Sequence, residues 1–226
     1  MRVHVVIPFK GLKESKSRLA DQISDTQRKQ LVLAMLSDVI SAVSSSKKVS
    51  KLVVVTSDKL IEEIIPKKAI LLLEEKPRGI NQAIVEATEY SLEMNAEATL
   101  VIPADLPLIT SRDIEEIISM AKSERTVIIS PSLNGGTNIL YRSPPNVIEP
   151  KFGKNSFQAH VEETRKKNIE PKIYRSPRVI LDLDEVEDIK KFLRYGTHTK
   201  TFDAICKTEL ILSVTKSIRN SKIHQH

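Results

Sequence analysis

The segment ATLVIPADLPLIT, residues 98–110, runs an apolar stretch, Leu100-Val101-Ile102, into a lone carboxylate, Asp105, set between Pro103 and Pro107. An ionised carboxylate at the mouth of a buried strand needs a cation or several N–H donors, because its desolvation is otherwise costly. Asp also starts turns without any ligand, and this segment alone allows either role. A basic counterpart follows the first apolar run. PFKGLKESKSRL places Lys10, Lys13, Lys16 and Arg18 within nine residues, opposed only by Glu14. It lacks the glycine spacing of a Walker loop and contains one glycine, Gly11. Cationic side chains and backbone N–H groups in such a loop can still surround a triphosphate, or the loop can simply be solvated.

A second acidic pair, Asp182 and Asp184, lies in VILDLDE, 179–185. Two residues apart at the end of an extended segment, they point to one side. With Asp105 they can assemble an all-oxygen site of the kind Mg²⁺ prefers alongside phosphates; the alternative is a capping run before a helix that starts near Glu185. Arg78, Gly79 and Asn81 precede and open a further helix. Gly79 permits close backbone approach and the Asn81 amide can read a base edge or a ribose, while a plain helix cap uses the same residues. SLNGGTNILYR and KFGKNSFQAH have the makings of a small-anion pocket: a tight turn at Gly135-Gly136, donors on Thr137 and Asn138, and Gly153 to Ser156 ahead of a helix whose first N–H groups can hold an anion. Capping by Asn155 or Ser156 is compatible with that. His160, one turn inside the helix, reads as a surface or packing residue.

The elements that must position these residues alternate. Strands are expected at 3–8, 51–57, 69–74 and 98–103, with the second and third too apolar to be half exposed. Helices are expected from Ser24 or Asp25, over DKLIEEII, from Gly79, and from Thr110 or Ser111. Strands TVIISPS and GTNILYR, helix SFQAHVEETRKKN, strands EPKIYRS and RVILDLD, and helix DEVEDIKKFLRY follow. Repeated βα units imply an α/β, Rossmann-like fold with a mixed, mostly parallel sheet. Ligands of such sheets bind at the carboxyl ends of the strands, where both the basic loop and Asp105 fall.

Composition narrows the class. At 226 residues with 40% hydrophobic and 28% charged residues, the chain is of single-domain size with an ordinary globular balance. No apolar run approaches the ~20 residues of a membrane helix, the start of the chain has no signal-peptide pattern, and one cysteine, Cys206, excludes an internal disulfide. A cytoplasmic protein is expected. Of the 35 Lys+Arg and 29 Asp+Glu, residues 190–226 hold 8 and 2, so residues 1–189 carry 27 of each sign and the +6 excess belongs to the C-terminal part. A basic tail can touch RNA, but with 4% aromatics and no RNA-binding signature a nucleic-acid partner is not favoured.

Taken in order, IPFKGLKESKSRLA, PADLPLIT, GGTNILYR, FGKNSFQAH and VILDLDEVEDI resemble the CofC family, 2-phospho-L-lactate guanylyltransferases of coenzyme F-420 biosynthesis, over roughly residues 1–195. The resemblance implies a glycosyltransferase-A-like nucleotidyltransferase fold, with GTP and Mg²⁺, joining a phosphorylated three-carbon acid to GMP with release of pyrophosphate. The acid is 2-phospholactate in archaeal members and phosphoenolpyruvate in some bacterial ones. Carried onto this chain, it implies Asp105, Asp182 and Asp184 as metal ligands; Thr137, Gly153 and Ser156 on the acid; Lys10, Lys16 and Arg18 on the GTP phosphates, with Asp105, Lys16 and Arg18 catalytic; and Gly79 and Asn81 near the nucleoside. A nucleotidyltransferase domain over 1–196, a basic extension over 197–226 docked on the body or on a partner, and a homodimer as one oligomeric form complete the expectation. The competing readings are a sugar-phosphate or molybdopterin nucleotidyltransferase, against which the missing glycine-rich first loop counts, and a nucleic-acid binder acting through the C-terminus.

Overall fold

The structure, a computed structural model, describes residues 1–208. Four parallel strands, β1 (Val3–Phe9), β2 (Lys51–Thr56), β3 (Ile70–Leu73) and β4 (Ala98–Val101), are followed by β5 (Thr126–Pro131), β6 (Thr137–Ser143) and the two-residue β7 (Lys172–Ile173). They form one sheet in the order β3-β2-β1-β4-β6-β5-β7, with β6 antiparallel to both β4 and β5 and β5 parallel to β7. The chain winds away from β1 in one direction through β2 and β3 and resumes on its other side with β4. The carboxyl ends of β1 and β4 are thus neighbours at a topological switch point, where such sheets open a crevice.

Among the described residues seven helices cover the faces: α1 (Asp25–Ser45), α2 (Ile80–Glu93), α3 (Ser111–Met120), α4 (Ser156–Lys166), α5 (Pro177–Ile180), α6 (Val186–Phe192) and α7 (Lys200–Cys206). Strand residues alternate between two cores. Val3, Val5 and Ile7 face α1 and α3, whereas Val6, Val53 and Val101 face α2 and α4. Helix starts are chemically marked: Ser24 forms a capping box with Gln27, and Thr110 forms one with Asp113. Lys59–Ile64 is a 3-10 turn capped by Asp58 rather than an α-helix.

Three expectations need correction. β3 is an edge strand and half exposed, with Leu73 44% accessible, so its apolar run does not signify coverage on both faces. EPKIYRS contributes only Lys172–Ile173 to the sheet. RVILDLD is not a strand: Ser176 caps one helical turn with Pro177 in its first turn, and 181–184 runs extended outside any ladder. The period-two pattern survives there, with Leu181 and Leu183 buried and Asp182 and Asp184 turned the other way. Beyond Gly196, α7 packs on α1, its first turn held by Asp38, which accepts from Lys200 N at 3.0 Å and Thr201 N at 2.8 Å. The remaining expectation for the basic extension, 209–226, lies outside the described residues. Among those residues no helix is long and apolar enough to cross a membrane.

The segment that carries Asp182 and Asp184 is moored by a buried carboxylate. Asp113, wholly inaccessible, accepts from Tyr174 Oη at 2.8 Å, Ser176 Oγ at 3.0 Å, and Arg178 Nε and Nη2 at 2.8 Å each, besides capping its own helix. Burial alone would raise its pKa, but the hydrogen bonds from Arg178, Thr110 and Tyr174 outweigh it and hold the group at about 2. A folded pKa below the unfolded one adds stability that is fully present above the unfolded value and is lost as pH falls through the folded one. Asp113 therefore stabilises the fold above about pH 4, and that contribution disappears between about pH 4 and 2. Asp113→Asn leaves Arg178 without its partner, and should cost about 3 kcal/mol, a fall in Tm of roughly 6–12 °C at pH 7. The loss should shrink toward pH 2, as read by calorimetry across that range; an equal loss at both ends would show that charge is not the cause.

Candidate active site at the switch point

The basic loop leaves β1 through Gly11, where a φ of +101° would strain any other residue and an added Cβ would crowd Asp58 Cβ at 3.1 Å. Asp58 in turn accepts from Leu12 N at 2.8 Å and fixes the start of the loop. At the other end Lys16 adopts a left-handed conformation, φ 56° and ψ 39°, before the 3-10 turn Ser17–Leu19. That backbone state costs a non-glycine residue on the order of 1 kcal/mol and persists when its surroundings hold it. Here two carboxylates do so. Lys16 Nζ donates to Asp105 Oδ2 at 2.8 Å and to Asp184, with only 6% of the lysine side chain accessible. Burial would depress the ammonium's pKa; Asp105 and then Asp184 outweigh it, and the net direction is upward.

Asp105 sits in a turn four residues past the end of β4, so the turn role and the charged role coexist. Its main-chain oxygen accepts from Leu183 N at 3.2 Å, which brings the Asp182–Asp184 segment alongside. Asp182 is linked to the cluster by charge rather than by the lysine. Burial first, then Asp105 and Asp184, push its carboxyl up to about 6, with a 3.5 Å contact from Asn138 Nδ2 opposing. Two carboxylates thus share one ammonium, and the third, Asp182, stands beside them without it. As placed, no three acidic, histidine or cysteine side chains among the described residues converge as a metal cage; the oxygen-only donor set and the carboxylate left without a cation nevertheless suit a hard cation. Arg18, more exposed, pairs with Glu185 at 2.7 Å.

Lys16, Arg18, Asp105 and Asp184 line a cleft of about 300 Å³, together with Pro8, Lys10 and Ile80; Asp182, one of the three expected metal ligands, is not part of that lining. A second cleft of about 220 Å³ shares Pro8, Lys10 and Ile80 and extends to Ser57, Pro77 and Gly79. Gly79, at φ 91°, is the N-cap of α2, and an added Cβ would meet nothing within 4 Å. Asn81 does not present its amide to that space. Its Nδ2 donates to Phe152 O at 3.0 Å and its Oδ1 accepts from Phe152 N at 2.7 Å, so both polar groups are spent on one main-chain unit.

Thr137, Gly153 and Ser156 form a separate cluster and line neither cleft. The two turns that carry them are in register: Phe157 N donates to Gly135 O at 3.3 Å and Ser156 N to Gly153 O at 3.2 Å. Neither Asn155 nor Ser156 caps α4 with its side chain, since Asn155 is left-handed at φ 55° and makes no cap bond. Asn138, expected as a free donor, is buried and bonds Val179 O at 2.8 Å and Ile180 O at 3.1 Å. Through Asn138 the strand that carries Thr137 touches the Asp182 segment, and through Asn81 the chain leading to Gly153 is tied to the first turn of α2. His160, expected at the surface or in packing, is fully buried and bonded to Thr137. Asp58 and Asp113 had local signals only for turns and caps, and the two asparagines read as ligand donors; the partners of all four lie 41 to 71 residues away.

Comparison with known proteins agrees with this arrangement. The family described as "Guanylyl transferase CofC like" matches residues 3–224, more of the chain than the five motifs span. The 2-phospho-L-lactate guanylyltransferase of Methanocaldococcus vulcanius is 37% identical over 201 residues, covering 88% of each chain. The 3-phospho-D-glycerate guanylyltransferase of Colwellia psychrerythraea is 31% identical over 209 residues, 92% of this chain and 100% of that one. The structure of a cytidylyltransferase from Leptospira borgpetersenii superposes with a TM-score of 0.60 at 16% identity, covering 97% of this chain and 96% of the other, a likeness of fold. A mostly parallel sheet with acidic and basic loops meeting at its switch point, a family match over nearly the whole chain and relatives above 30% identity lead to one conclusion: the chain belongs to the CofC-like guanylyl transferase family and has the nucleotidyltransferase fold.

Proposed function

We propose that the protein transfers GMP from GTP to the phosphate of a small phosphorylated three-carbon acid, 2-phospho-L-lactate first and phosphoenolpyruvate second, in coenzyme F-420 biosynthesis. The observation that carries this reading is the buried Lys16 ammonium between Asp105 and Asp184, in a cleft lined by Lys10 and Arg18 at the carboxyl ends of β1 and β4. The relative at 37% identity bears the name of the same reaction on 2-phospho-L-lactate, and the name of the Colwellia relative makes 3-phospho-D-glycerate a third acid to test.

In this reading a phosphate oxygen of the acid attacks the α-phosphorus of GTP, the bond from that phosphorus to the bridging oxygen breaks, and pyrophosphate leaves with the electron pair. The nucleophile belongs to the substrate, so the chain needs to align and neutralise rather than to form a covalent intermediate. Lys10 and Arg18 face the β- and γ-phosphates. Gly79, at the far end of the joined clefts, lets the α2 start approach the nucleoside, while Asn81 acts there by holding the Phe152 main chain. Thr137, Gly153 and Ser156 supply donors to the acid. Mg²⁺, if held by Asp105, Asp182 and Asp184, would supply neutralisation of the triphosphate. Lys16, held by Asp105 and Asp184 in the same cleft, would present its ammonium to the phosphates from there. The same reading makes the protein cytoplasmic and leaves a homodimer as the form that light scattering should test.

Incubated with GTP, Mg²⁺ and 2-phospho-L-lactate, the folded protein should release pyrophosphate, and ATP, CTP and UTP should be poor substitutes. No pyrophosphate with that acid, phosphoenolpyruvate or 3-phospho-D-glycerate would refute the assignment. Asp105→Asn keeps the turn and its main-chain bond but removes a charge, so turnover should fall by at least about 10²-fold with the fold retained by circular dichroism; activity within a few-fold at saturating Mg²⁺ would leave Asp105 as a turn residue. Thr137→Val and Ser156→Ala each remove a hydroxyl able to bond a charged group. Each should raise the KM for the acid roughly tenfold and leave that for GTP nearly unchanged, as steady-state titration of each substrate would show.

A further inference from the structure

His160 lies one turn inside α4, its ring wholly buried and edge-on to Phe152 at 5.1 Å. Nε2 stands 2.8 Å from the main-chain nitrogen of Lys151. A backbone N–H can only donate, so Nε2 accepts and carries no proton. In a neutral imidazole the single proton is then on Nδ1. Nδ1 is 2.9 Å from Thr137 Oγ1, and with the ring as donor the hydroxyl must be the acceptor in that bond. The Thr137 hydroxyl hydrogen is left over, with no acceptor among the described residues beyond this one ring. Burial, reinforced by the charge of Arg142 and opposed by the Ser156 carbonyl, holds the ring pKa at about 4, so it stays neutral near pH 7.

Three polar side chains, Arg142 and His160 buried and Asn81 half-buried, grip the main chain between Ile148 and Phe152. Arg142 Nη1 donates to Ile148 O at 3.1 Å, His160 accepts from Lys151 N, and Asn81 brackets Phe152. Only the histidine also reaches a hydroxyl of the acid cluster. We propose that His160 is a positioning residue for the phosphorylated acid: its Nδ1–H fixes the Thr137 oxygen and frees the Thr137 hydrogen to donate to an anionic oxygen, while its Nε2 anchors the strand of chain that leads to Gly153. The proposal rests on the acid-pocket reading given above and deepens it, since it makes one ring responsible for the direction of one donor and the placement of another.

Two variants divide the ring's functions. In His160→Gln the longer side chain can keep an acceptor near the Nε2 position for Lys151 N–H, but loses the donor to Thr137. In His160→Asn the amide can keep a donor near the Nδ1 position but loses the loop anchor. The expected result is a roughly tenfold rise in KM for 2-phospho-L-lactate with Gln, GTP KM within about twofold, and Tm near the parent; Asn should lower Tm and raise the acid KM less. In a Thr137→Val background, Gln should add no further rise, because both changes remove the same donor. A long-range ¹H–¹⁵N spectrum of the unsubstituted protein should show the Nδ1–H tautomer, a readout that holds even if both variants fail to fold. An Nε2–H tautomer would overturn the proposal, and so would an unchanged acid KM in the Gln variant when Thr137→Val raises it, or acid KM values that simply track Tm in both variants. If Thr137→Val itself leaves the acid KM unchanged, the pocket reading fails and takes this proposal with it.

Discussion

The ammonium of Lys16 is the joint on which the site depends. A lysine side chain this inaccessible would lose its charge without compensation, since desolvation works against the ammonium form. Asp105 and Asp184 reverse that balance, and so three segments far apart in the chain must meet: the loop after β1, the turn after β4 and the extended run before α6. The rest of the region can be understood as what keeps those three in place. Asp58 shapes the loop at Gly11, Leu183 N ties its strand of chain to Asp105 O, and Leu181 and Leu183 bury their side chains on the face opposite Asp182 and Asp184, of which Asp184 lines the cleft.

Charge at this joint is unevenly matched. Three carboxylates stand near one ammonium that pairs with two of them, and Asp182, its carboxyl pushed up to about 6 by burial first and then by Asp105 and Asp184, is the one left over. A buried ion pair is weak as a source of stability, because the desolvation of both partners offsets most of their attraction. What it provides is a defined arrangement of opposite charges at a crevice between the carboxyl ends of β1 and β4. Structural mooring is separate: Asp113, saturated by donors from α3 and the 174–178 segment, fixes the acidic run from behind.

The polar side chains near the acid cluster follow a different rule. Asn81, Asn138 and His160 carry groups that could meet a ligand, yet each is spent mainly on protein atoms, because a buried donor or acceptor left unpaired costs more than a made hydrogen bond returns. Asn81 thereby ties the chain leading to Gly153 to the first turn of α2, and Asn138 ties the strand that carries Thr137 to the Asp182 segment. In this arrangement the residues that look most ligand-like in the sequence serve as the frame of the turns that carry Thr137 and Ser156.

Local chemistry determined much of this protein from sequence alone. The parallel strands and their helices follow from β-branched runs and four-residue apolar spacing, and the starts of α1 and α3 follow from Ser24 and Thr110, whose capping bonds span three residues. The order of five short motifs was enough for the family, because each is a contiguous string. The tertiary structure decided everything that needs a distant partner. It made β3 an edge, because strand order is set by crossovers and not by the apolar content of the strand. It turned 177–180 into a helical turn, because Ser176 and Pro177 begin one and no neighbouring strand was there to pair with it. It gave Lys16 two carboxylates 89 and 168 residues away, and gave His160 a hydroxyl 23 residues away. Periodicity reports which face of an element is buried; it carries no information about which polar groups will meet there, and at this site the meeting of polar groups is the chemistry.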